Sequence, residues 1–98
     1  MRKRYRVEIT DSAEKDLAQI WDYISADSPN NAILFLEQIE RRAFSLEILP
    51  ERHQLIAEDV FLHGKYRQLV YKDYRIIYRI QEEIVYIMRI IHSAKLLD

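Results

Sequence analysis

Six side chains in the last third of the sequence are of types that could act together: Arg67, Arg75, Arg79, Arg89, His92 and Lys95. Guanidinium groups bind phosphate and carboxylate through paired N–H donors, and clustered ones are desolvated easily. A surface carrying them suits RNA, DNA or an acidic strip of protein. His92 is the member that exchanges a proton near neutral pH, which makes it the candidate acid or base. Other kinds of site lack their parts. The absence of Cys removes a thiol nucleophile, disulfides and cysteine zinc sites. His53, His63 and His92 lack the close spacing of a ligand pair. One glycine cannot build a phosphate loop, and no serine stands on a nucleophile turn. No metal and no cofactor are expected.

The elements that must carry these residues follow from periodicity. Tyr5, Val7 and Ile9 alternate with Arg4, Arg6 and Glu8, the pattern of a half-buried strand. Asp11, with Glu14 three positions later, reads as the cap of a first helix whose apolar face is Ala13, Leu17, Ile20, Trp21 and Ile24. Ser28-Pro29 starts a second helix, with Ala32, Phe35, Leu36, Ile39, Ala43 and Leu46 on one side and Pro50 as its stop. Residues 50–65 show no sustained period. Three strands follow, Tyr66–Tyr71, Tyr74–Ile80 and Ile84–His92, with tight turns at Lys72-Asp73 and Gln81-Glu82-Glu83.

This order predicts an α+β fold, β-α-α-β-β-β, with the helical hairpin packed on one face of an antiparallel four-stranded sheet. In the strand from Tyr74, one parity is Tyr74, Ile76, Tyr78 and Ile80, which must meet the helices. The other carries Arg75 and Arg79, so these two are expected on an open sheet face. In the last strand Val85, Ile87, Arg89 and Ile91 are placed outward on the strength of Arg89.

Length and composition set the frame. A chain of 98 residues, 49% hydrophobic and 32% charged, holds one domain spanning 1–98. No apolar run reaches a membrane span of about 20 residues, and a soluble cytoplasmic protein is expected. The net charge of −1 conceals segregation. Arg2, Lys3, Arg4 and Arg6 open the chain. Residues 8–62 then hold twelve acids against four bases, and residues 63–98 hold seven bases against four acids. Acidic and basic regions this distinct fit a bipolar, partner-binding surface.

The motifs Ile9-Thr-Asp-Ser-Ala-Glu-Lys-Asp-Leu17, Ile20-Trp-Asp-Tyr-Ile24, Ser28-Pro29, Leu49-Pro50, Tyr74-Arg-Ile-Ile-Tyr-Arg79 and Arg89-Ile-Ile-His-Ser-Ala-Lys95, in that order, are familiar together. The chain resembles the ParE/RelE superfamily of type II toxins over nearly its whole length, and it looks closer to the ParE-like branch. The resemblance implies a bacterial growth-inhibiting toxin neutralised by a cognate antitoxin. It implies DNA gyrase as the target for a ParE-like member, or ribosome-dependent mRNA cleavage for a RelE-like one. In the second case Arg75, which sits at the family's matching arginine, would steady phosphate charge and His92 would serve as acid or base. The paired lysines of the RelE pattern are absent, with Tyr66 and Gln68 in that neighbourhood. Lys95 keeps the charge of the ParE-like ending. Arg67, Arg75, Arg79, Arg89, His92 and Lys95 are therefore expected to form a target-binding surface. An oligomer is compatible with this reading.

Overall fold

The computed structural model describes residues 2–97. Its elements are β1 (Arg6–Ile9), α1 (Asp11–Ser25), α2 (Pro29–Phe44), two short 3₁₀ turns (Ser45–Glu47 and Pro50–Arg52), α3 (Asp59–Leu62), β2 (Arg67–Tyr71), β3 (Tyr74–Gln81) and β4 (Ile84–His92). The expected element order holds. The irregular region contributes only α3 and the second 3₁₀ turn.

Local chemistry explains the boundaries. Thr10, not Asp11, caps α1. Its hydroxyl oxygen accepts from the Ala13 N–H at 3.3 Å and donates to the Ile87 carbonyl at 2.7 Å, so one side chain starts the helix and ties it to β4. Asp11 and Glu14 lie in the first turn, where the helix dipole favours acids. Ser28 caps α2, accepting from Asn31 N–H at 3.2 Å, and Pro29 takes the first helical position.

The sheet order is β1-β4-β3-β2. β2, β3 and β4 form the expected antiparallel meander, but β1 runs parallel to β4, from Arg6 opposite Ile84 to Ile9 opposite Ile87. The sheet is therefore mixed. Alternation fixes which face a side chain takes and says nothing of strand direction. A crossover through two helices permits a parallel neighbour where a tight turn does not.

The helical hairpin covers one face. Ala13, Leu17, Ile20, Ile39, Ala43 and Leu46 pack against Ile76, Tyr78, Val85, Ile87 and Ile90 in the main core. Trp21, expected within that core, is half-buried. Val85 and Ile87 face the helices, against the parity read from Arg89. The cause is a β-bulge: Ile77 pairs with Arg89 and Tyr78 with Ile87, so Met88 is an extra residue and the facing flips after it.

The second face is not open. Residues 53–66 form a strap across it. The strap begins as an extra rung on β2, through Gln68 N–H to Gln54 C=O at 3.1 Å and Ile56 N–H to Tyr66 C=O at 2.9 Å. It then folds inward. Ile56 meets Ile77 and Ile91, with Tyr66 and Leu97 packed around them as a second, smaller core. This overturns the expected bare, arginine-lined face. Its reason lies in Ile77 and Ile91, which share that face and must leave water.

Candidate functional site

The six expected cations do not form one surface. Arg75 is buried, 7% exposed, as is its partner Glu58 at 7%. Its Nη1 donates to Glu58 Oε1 at 3.0 Å and its Nη2 to Oε2 at 2.6 Å, a bidentate pair. The same guanidinium donates to Gln68 Oε1 at 3.1 Å and to the Lys95 carbonyl at 2.7 Å. Glu58 Oε2 also accepts from the Leu97 N–H at 2.9 Å. This cluster joins the strap, the sheet and the C-terminal segment. The Arg75 hydrogen bonds hold the Glu58 carboxyl down at about 2, against the opposing effect of its burial.

Arg67 lies across from Tyr78 and so shares the helix-side parity, apart from Arg75. Its Nη1 donates to the carbonyls of Glu51 at 3.3 Å and His53 at 2.6 Å. Beside it the His53 ring stands edge-on to Tyr78, and burial followed by the nearby Arg52 charge lowers its pKa. Burial likewise pushes the Tyr78 phenol up to about 12. Arg79 is half-buried on the strap side, its guanidinium 5.6 Å from the Tyr66 ring centroid.

Arg89 pairs with Asp16 of α1. Arg89 Nε lies 2.8 Å from Asp16 Oδ2, which also accepts from the Ile90 N–H at 2.8 Å. Asp16 is buried at 7% exposure. The signal for it was in the sequence: Asp16 follows Ala13 by three and precedes Ile20 by four, which puts it on the buried stripe. Two clefts open on either side of this pair. One, of about 220 Å³, is lined by Ser12, Leu62, Tyr66, Met88, Arg89 and Leu97. The other, of about 160 Å³, brings together Asp16, Gln19, Tyr23, Tyr74, His92 and Lys95.

Of the six, His92 and Lys95 are the exposed members. His92 Nδ1 accepts from the Ala94 N–H at 3.1 Å, which leaves Nε2 to carry the proton of the neutral ring. Its ring stands edge-on to Tyr74, centroids 5.6 Å apart. Among the described residues no group of three or more His, Asp or Glu side chains is placed to hold a metal ion. No helix among them is long and apolar enough to cross a membrane.

Comparison with known proteins fits this geometry. The family model described as the ParE toxin of type II toxin–antitoxin systems matches residues 7–97. The chain belongs to the ParE toxin family. The fold matches a chain of the chromosomal ParDE system from P. aeruginosa with a TM-score of 0.76 at 19% identity, covering 92% of this chain and 97% of that one. It also matches a chain of the RelBE2 toxin–antitoxin complex from Mycobacterium tuberculosis, with a TM-score of 0.62 at 27% identity and 94% coverage of each. No functionally curated protein matches significantly.

Proposed function

We propose that this member of the ParE family is a toxin that arrests growth by binding a cellular machine, with DNA gyrase as the target, and that a cognate antitoxin neutralises it. The observation that carries binding over RNA cleavage is the Arg75–Glu58 pair. An arginine that steadies a scissile phosphate must offer its N–H groups to it, and both Nη atoms of Arg75 are already bonded to Glu58, Gln68 and Lys95. Cleavage of RNA by its own 2′-hydroxyl also needs a base and an acid on opposite sides of the phosphate. His92 is one such group, with Nδ1 engaged by Ala94. The other titratable groups lining its cleft are Asp16, which is bound to Arg89, and Tyr23, Tyr74 and Lys95, so the preference for binding rests on Arg75.

His92, Lys95 and the clefts flanking Asp16 and Arg89 remain as target-facing features; Arg79 lies on the strap side, away from His92, which shares the helix-side parity of Tyr74. Arg67 and Arg75 act in this reading as supports of that surface. The test adds purified protein to a gyrase supercoiling reaction and, separately, to translating ribosomes. Trapped, cleaved DNA is the expected result. Cuts in message on the ribosome with gyrase unaffected would overturn the proposal.

A further inference from the structure

Where β1 ends, β4 loses its strand neighbour. Ile9 pairs with Ile87, so Met88–His92 run on with α1 alongside instead of a strand. α1 and its cap supply two substitute hydrogen bonds, from the Thr10 hydroxyl to the Met88 C=O at 3.3 Å and from the Ile90 N–H to Asp16 at 2.8 Å. The register fixes what comes next. Ser93 N–H donates to Asp73 C=O at 2.7 Å, so Tyr74 and His92 form a pair whose own backbone groups point away from each other. Ile76 and Ile90, two residues on, repeat that geometry. The Ile90 C=O and the His92 N–H therefore both face outward on the α1 side. His92 C=O accepts from Lys95 N–H at 2.9 Å, but among the described residues nothing bonds to Ile90 C=O or His92 N–H across this edge.

The 160 Å³ cleft opens against these two groups. It is smaller than the roughly 300–1,000 Å³ of a small-molecule site, and fits a single side chain. Its walls are Tyr23, 78% exposed, and Tyr74; its charge comes from exposed Lys95 beside His92. Lys95 forms no ion pair among the described residues. Asp16 in the lining is already matched by Arg89, and Asp73 stands next to Tyr74 at the rim. A phosphate backbone would call for a run of cations, and the neighbouring arginines Arg75 and Arg89 are already paired.

We infer that this edge of β4 is a docking site for an extended acidic peptide segment of a protein partner. The segment accepts from His92 N–H and donates to Ile90 C=O as a single added rung. One of its carboxylates enters the cleft toward Lys95 and His92, between Tyr23 and Tyr74. This rests on the reading that the toxin acts by docking.

The test uses the full chain, isotope-labelled, titrated with the blocked peptide acetyl-Val-Asp-Val-Asp-Val-amide and its Asn counterpart while backbone amide signals are followed. Shifts should centre on Tyr23, His92 and Lys95. Lys95→Glu should weaken binding about tenfold, as an opposed charge at a docking rim does. The Asn peptide should bind several-fold more weakly, and added salt should weaken the Asp peptide. Lys95 is exposed, so this variant keeps its fold. Shifts centred elsewhere, or equal binding by the Asn peptide, would overturn the site. So would an RNA oligonucleotide that displaces the peptide from the same amides. Gyrase trapping by the same preparation is read separately: trapping without peptide binding overturns this site alone, and binding without trapping overturns the gyrase target alone.

Discussion

On the helix side of the sheet, Ile76, Tyr78, Val85, Ile87 and Ile90 meet two amphipathic helices whose backbones are bonded within themselves. On the strap side, Ile77 and Ile91 meet Ile56, Tyr66 and Leu97, carried by irregular chain. A helix covers a face without leaving backbone groups to satisfy, whereas a loop laid over a sheet must find partners for its own N–H and C=O groups. The polar groups of the second face do that work. Asp59 accepts from Tyr66 N–H at 2.9 Å, Glu58 from Leu97 N–H at 2.9 Å, and Arg75 donates to Lys95 C=O at 2.7 Å. An arginine that looks like a ligand-binding group in sequence is, on this face, what fastens the loops.

The sharpest way to break this contrast is Arg75→Ala. It strands Glu58 in a buried site and should cost about 3–5 kcal/mol, a large part of the total stability of a small domain. Urea unfolding measures it. Arg75→Glu, harmless on an open face, should be worse, because it sets two carboxylates together there. A double variant, Arg75→Met with Glu58→Leu, should recover part of the loss. If it recovers none, the missing bonds to Lys95 and Leu97 carry the cost, not the stranded charge.

Cavities compare the two cores directly. Leu46→Ala in the helix-side core should cost about 3 kcal/mol and leave a rigid void. Ile56→Ala on the strap side should cost nearer to 2 kcal/mol, because a loop can close over the gap. Equal losses in urea melts would mean that the strap packs as firmly as the helices.

Acid should act on the strap side selectively. Glu58 titrates at about 2 in the folded chain against an ordinary 4.5. A lowered carboxyl stabilises the fold fully above its unfolded value, and that contribution fades as pH falls from about 4.5 toward 2. The denaturation midpoint should drop across that window, and Glu58→Gln, already weaker at neutral pH, should drop less. Parallel pH curves for the two would remove Glu58 from the acid response.

The same contrast explains what could be read in the sequence. α1, α2 and β3 were legible because each buries one face, and a periodic stripe records it. The strap was not: Ile56 points in while Val60 and Phe61, 72% and 81% exposed, point out, so no period survives. The flip along β4 was hidden because the bulge at Met88 carries no glycine to mark it. Arg75 and Arg89 were legible as cations on strands, but their partners Glu58 and Asp16 stand 17 and 73 residues away. His92 and Lys95 were legible as a proton-exchanging group and a cation at and beyond the end of the last strand; Tyr23 and Tyr74, which wall their cleft, were read only as parts of elements.

The smallest effect comes from the sheet that both faces share. Glu82, in the β3–β4 turn, holds φ at 57°, a left-handed backbone that disfavours a side chain by about 1–2 kcal/mol. Glu82→Gly relieves that strain and adds unfolded-state freedom, for a net gain below about 1 kcal/mol. Its use lies in where the gain is felt. If the strap opens on its own while the sheet stays folded, hydrogen exchange at the Ile56 and Tyr66 amides reports that local opening and should not change. The Ile77 and Ile90 amides, which open only with the whole domain, should become better protected. Equal gains at all four would mean that strap and sheet unfold as one unit, and the two faces would differ in chemistry but not in cooperativity.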